Sequence, residues 1–189
     1  MLHPGTNSGK ERMSRLSGKM RKLALLALAA ASPLLQGSID LSANADARLL
    51  AAHNRERALL GIPPLAWNEG LARDAAAWGQ HLTRVGYLVH YPDNPNDPDP
   101  QGENLWAGTK GYYSLENMVG LWVAEKKNFR AGVFPNNSQT NRLEDVAHYT
   151  QVMWRSSTDV GCAVVRGRAD DFLVCRYSEG GNVLGERPF

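Results

Sequence analysis

Apolar residues recur at helical spacing in three stretches of this chain. Over residues 46–60, Leu49, Ala52, His53 and Leu60 fall near one face; Gly61 supplies a stop, and Pro63-Pro64 prevents continuation. Asn68 is a suitable N-cap for a second helix, in which Leu71, Ala75, Trp78 and Leu82 keep the spacing until Gly86. Ser114 begins a third, running to about Arg130 with Met118, Trp122 and Phe129 as its stripe. Between the second and third, residues 91–101 carry four prolines, which remove backbone donors and forbid helix. That stretch reads as an extended, solvated loop; its acidic residues lack the ordered spacing and glycine of a calcium loop. After a polar, turn-rich stretch over 134–142 comes a short helical turn over 148–154. The pattern then changes to two strands, 160–166 and 171–178, joined by a tight turn. Helices flanking a few late strands predict an α+β domain rather than a wound parallel sheet.

The first 45 residues read differently. Lys19, Arg21 and Lys22 precede an apolar run over 23–35, and Ala43-Asn44-Ala45 places small residues before Asp46. This is the pattern of a secretory signal peptide, with Met13 or Met20 an alternative start. A membrane anchor needs roughly 20 apolar residues. The run has 13 and contains Pro33, so no transmembrane anchor is expected. The expected organisation is a leader over 1–45 and one domain over 46–189, exported and therefore secreted or periplasmic.

Removing the leader changes the electrostatics. The whole chain has 21 basic and 19 acidic residues, for a net charge of +2. Six basic and two acidic residues precede Asp46, leaving 15 against 17 and a charge of −2. Without a basic stripe for phosphates, nucleic acid is excluded as a partner.

The only cysteines are Cys162 and Cys175. In an exported chain an even count close in sequence favours a disulfide, two buried thiols being the alternative. A two-residue turn centred on Arg168-Ala169 sets them opposite each other, with Cα atoms about 4.5 Å apart if the pair is not hydrogen-bonded. Of the four histidines after the leader, His53 lies on an apolar helix face and reads as a structural residue satisfied by hydrogen bonds. His81 lies near a helix end, and His90 and His148 lie at element boundaries. Glu125 shares the apolar face of the third helix. There it must find a cation, a donor or a cavity, unless the stripe ends and it leans into solvent. Glu103 emerges from the proline loop beside Asn104-Leu105-Trp106.

Several of these segments resemble motifs of one family. His53-Asn54-Arg55-Glu56-Arg57, with Pro64-Leu65-Ala66-Trp67, is similar to the start of the CAP superfamily of cysteine-rich secretory, antigen 5 and pathogenesis-related class 1 proteins. Gly102-Glu103-Asn104-Leu105-Trp106 and His148-Tyr149-Thr150-Gln151-Val152-Met153-Trp154 resemble its central motifs. Gly161-Cys162-Ala163, Val174-Cys175-Arg176-Tyr177-Ser178 and Gly181-Asn182 resemble its closing ones. The resemblance covers residues 49–182. It implies a three-layer α-β-α sandwich with a small antiparallel sheet, and a cleft holding His90, Glu103, Glu125 and His148. Tyr91-Pro92 follows His90 where the family has a small polar residue, which leaves His81 as the alternative.

In that reading His90 and His148 are the metal ligands, and Glu103 and Glu125 line the cleft or orient the imidazoles. Zinc or another divalent cation would be bound weakly, because two nitrogens are fewer than the three protein ligands of a usual catalytic zinc site. Three functions remain open. One is a binding module for a cation and a small ligand; similar proteins take sterols or lipids, through surface loops this sequence does not obviously share. The second is a metal-assisted hydrolase with Glu103 or Glu125 as catalytic base. The third is an interaction protein with a structural polar cleft. A monomer is expected.

Overall fold

The computed structural model describes residues 41–189. The leader expected over 1–45 thus lies outside the described residues except for its last five. Among those, Leu41 is buried in the core and Ala45 begins a helix.

Helix α1 (Ala45–Leu59) buries Leu49, Ala52 and His53, as its spacing predicts. The expected fourth member of that face, Leu60, is not buried: Leu59 and Leu60 are 70% and 48% exposed. The chain reverses at Gly61, which has φ +62, and Ile62 enters the core in Leu60's place. Arg57 takes the last buried position on the helix. Its guanidinium is fully buried and donates to the carbonyls of Pro63, Val152, Trp154 and Ser157 at 2.8–3.0 Å. Burial lowers its pKa to about 10, and the carbonyl cage ties α1 to the segment after the fourth helix.

A two-residue strand β1 (Ala66–Trp67) leads into α2 (Glu69–Val85). Asn68 caps α2 by accepting from the backbone N–H of Gly70 and Leu71, and Gly86 ends it in the left-handed conformation. Strand β2 (Gly102–Thr109) follows the proline loop. Three of the five residues in its opening motif, Gly102, Glu103 and Asn104, are poor strand formers, yet all eight residues of the strand pair with the last strand. Helix α3 (Leu115–Val123) is shorter than its apolar stripe suggests. It tightens into a 3-10 turn over Ala124–Asn128, and Phe129 is already extended. Helix α4 (Ala147–Val152) precedes β3 (Asp159–Arg166) and β4 (Asp170–Ser178).

The sheet order is β1-β3-β4-β2. It is antiparallel except at one edge, where β1 runs parallel to β3. Inner strand β4 alternates between two cores. Leu173, Cys175 and Tyr177 join α1, α3 and α4, whereas Phe172 and Val174 join Ala75 and Leu82 of α2. This is the α-β-α sandwich. Helix α2 lies close on β3 because Gly161 has no side chain; a Cβ there would strike the backbone of Asn68, Leu71 and Ala72. Cys162 and Cys175 are opposed across β3 and β4, with Cα atoms 4.1 Å apart, and form a disulfide. Closing this short loop contributes about 3 kcal/mol on the chain-entropy account.

Candidate functional site

The first residue of β2 to carry a functional group, Glu103, points to the α2 side of the sheet. Its Oε1 lies 2.6 Å from His90 Nδ1 and accepts the Tyr91 backbone N–H at 3.1 Å. Its Oε2 lies 3.1 Å from Arg176 Nη2, the residue directly opposite it on β4. Glu103 and Arg176 have side chains only 7% exposed, whereas His90 is 67% exposed. The hydrogen bond to Glu103 holds the His90 pKa above its ordinary value near 6.5, against partial desolvation and the nearby Arg176 charge. Glu103 is thus paired with His90 and not with His81, which instead stacks on Trp78 at 4.4 Å.

A second pair stands where the 3-10 turn after α3 meets the start of α4. Glu125 Oε1 lies 2.6 Å from His148 Nδ1, and its Oε2 accepts the backbone N–H groups of His148 and Tyr149. The 3-10 turn after α3 carries this carboxylate to the start of α4, whose own N-cap residue, Val146, supplies no side-chain acceptor. Glu125 therefore caps a neighbouring helix, which answers how an acidic residue sits on an apolar stripe. The His148 ring lies parallel to Trp122 at 6.0 Å.

The two pairs share one arrangement. A carboxylate only accepts, so each Nδ1 carries the hydrogen; in the neutral ring this leaves Nε2 as the acceptor, the tautomer a metal-ligating imidazole needs. A cleft of about 1040 Å³ adjoins the first pair; His90, Glu103, His81 and Arg176 line it. Gln151, three residues beyond His148 on α4, reaches the same cleft, while Glu125 and His148 do not line it. A Cβ on Gly102 would collide with Gln151, so the glycine before Glu103 lets α4 approach β2.

Among the described residues, one trio gathers potential ligand atoms within 4.8 Å: His53, Cys162 and Cys175. It is a poor metal site. Both sulfurs are committed to the disulfide, and both nitrogens of His53 are bonded. His53 Nδ1 donates to the Leu49 carbonyl at 2.8 Å, so Nε2 accepts from Tyr177 Oη at 2.9 Å. Asn104 Nδ2 donates to Tyr177 Oη and to the His148 carbonyl. Complete burial lowers the His53 pKa to about 4. This network joins α1, β4, β2 and α4 through the buried His53 ring.

Sequence reasoning missed Arg176, Asn104, Gln151 and the edge-to-face contact of Tyr91 with Trp78, whose ring centres lie 5.1 Å apart. Arg176 had a usable signal: it is the one cation in a strand otherwise buried on both faces.

A three-layer sandwich carrying two imidazole–carboxylate pairs at the ends of β2 and α4 defines the class of protein. Residues 50–177 match the model of the cysteine-rich secretory protein family, CAP, and the chain belongs to that family. It is 32% identical to a PR-1-type pathogenesis-related protein of Sambucus nigra over 166 residues, covering 87% of this chain and 93% of the relative. It is 38% identical over 140 residues to pathogenesis-related protein 1 of Arabidopsis thaliana, covering 73% and 78%. A crystal structure of NaASP2 with Zn2+ shares the fold, with a TM-score of 0.63 at 19% identity, covering 77% of this chain and 84% of that one.

Proposed function

We propose that this chain is an exported CAP-domain binding module, with a leader over 1–45 and a domain over 46–189, that takes a divalent cation through His90 and His148. The observation that carries this reading is the 2.6 Å contact from a carboxylate oxygen to Nδ1 of each imidazole. Such contacts orient the rings and fix their tautomers, as outer partners of metal-bound histidines do. The Zn2+ of the NaASP2 crystal is in keeping with it. A cation bound there supplies a positive charge and exchangeable positions at the cleft rim. The protein fixes two rings and two tautomers. With two nitrogens and waters, affinity is weak and depends on pH.

Binding is favoured over hydrolysis because the candidate bases are engaged. Glu103 accepts from a ring and a backbone N–H and is ion-paired with a guanidinium at 3.1 Å, and Glu125 accepts from a ring and two backbone N–H groups. A carboxylate oxygen already held by a donor is poorly placed to take a proton from a water. The third reading, an interaction protein, rests on no comparable cluster. For a small ligand, the charged and amide lining of the cleft favours a polar molecule over a sterol or lipid.

The test is zinc titration by calorimetry of the purified chain and of a His90→Ala/His148→Ala double variant. Binding by the wild type and a loss of at least about tenfold in the variant are expected. Equal affinity for the two proteins overturns the assignment.

A further inference from the structure

The cleft beside His90 contains buried polar atoms that nothing in the protein satisfies. Arg176 Nε, Gln101 Oε1 and Glu103 Oε2 are all buried without a hydrogen-bond partner, Glu103 Oε2 having only the unaligned contact with Arg176 Nη2. All three residues line the same cleft. Burying such groups unmatched costs free energy, and three together in one cleft mark a place where another molecule completes the bonding. Arg176 and Glu103 are more than nine-tenths buried, so the orphan donor and acceptor are held rigidly.

Their chemistry narrows the ligand. Arg176 Nε–H needs an acceptor, whereas Gln101 Oε1 and Glu103 Oε2 need donors. A bare cation or an ammonium group has nothing to offer the guanidinium. An anion meets a lining with four acidic residues, Asp74, Asp93, Asp97 and Glu103, against the two arginines Arg84 and Arg176. A hydroxyl both donates and accepts, and carries no charge. The cleft also has an aromatic wall: Tyr91 packs edge-to-face on Trp78 at 5.1 Å, and Arg176 covers Tyr91 at 4.6 Å from the ring centre. Tyr91 is half exposed, so an apolar face of a polyol ring can lie against it.

We propose that this cleft is a binding subsite for a neutral, polyhydroxylated ligand, a segment of an uncharged polysaccharide. Arg176, Gln101 and Glu103 hold its hydroxyl groups and Tyr91 flanks its ring. The proline loop shapes the subsite from both ends. Tyr91 is anchored at one end by its N–H to Glu103, and Gln101 at the other by its amide to Asp74 at 2.8 Å. The subsite does not require a metal, so it stands or falls separately from the zinc titration above.

The experiment is calorimetry of the full chain, in excess EDTA, with cellohexaose, chitohexaose, maltohexaose and mannohexaose at about 5 mM, enough to detect a Kd near 1 mM. Hexalysine and a heparin hexasaccharide are the charged comparators. At least one neutral oligosaccharide is expected to bind. Tyr91→Ala and Gln101→Leu are expected to weaken it about tenfold each, with an unchanged urea midpoint for the fold. Should a variant not fold, the indole N–H resonance of Trp78 in the wild type gives the same decision, because it must shift on addition of the sugar. Failure of all four neutral sugars, binding of the charged comparators alone, or a sugar that binds without moving the Trp78 resonance overturns the proposal.

Discussion

Acidification to pH 4.5 should weaken this fold through one residue, His53. The ring is fully buried, and burial lowers its pKa from 6.5 to about 4. Protonation would put a hydrogen on Nε2 facing Tyr177 Oη, which now donates to that nitrogen. The folded pKa is depressed, so between pH 6.5 and 4 the unfolded chain binds more protons than the folded one. The stability is therefore complete above pH 6.5 and is lost as pH falls toward the folded value. At about 1.4 kcal/mol per unit, the loss from pH 6.5 to 4.5 is roughly 2 to 3 kcal/mol. Two other shifted groups stay out of this window. His90 is raised, so its contribution is already complete below pH 6.5 and is lost only as pH rises. Glu116, held near 2 by Arg48, keeps its contribution above pH 4.5. Urea unfolding at half-unit pH steps should give a slope for wild type that a His53→Gln variant lacks. Parallel curves for the two proteins would refute the reasoning, whatever the variant's absolute stability.

Three further outcomes follow from the same geometry. Arg57→Ala strips four buried carbonyls of their donor and should cost on the order of 3 to 5 kcal/mol, read as a lower urea midpoint. Reducing the Cys162–Cys175 disulfide should cost about 3 kcal/mol by the same assay. Because Glu103 keeps His90 protonated to a higher pH than a free imidazole, zinc affinity should rise at least about tenfold between pH 6 and pH 8. A calorimetric affinity flat over that range would remove His90 from the metal site.

Much of the fold was legible along the chain. Asn68 and Gly86 bound α2 because capping is local chemistry, and the Arg168-Ala169 turn alone placed Cys162 opposite Cys175. Strand β2 was not legible, because Gly102, Glu103 and Asn104 have little preference for extended structure; pairing with β4 supplies it. Glu125 was legible as an anomaly but not as a solution. The sequence could say that a carboxylate on an apolar stripe needs donors, yet the donors lie on α4, 23 and 24 residues away.

By itself, then, the sequence determined the boundaries of α2, the closing hairpin, the family and the residue types available for chemistry, since each rests on neighbours within a few positions or on ordered motifs. Only the tertiary structure decided which histidine each glutamate holds, that Arg176 stands behind Glu103, and that Arg57 rather than Leu60 is buried. Those outcomes depend on contacts between residues far apart in the chain, where packing and hydrogen-bond satisfaction override the preference of any single segment.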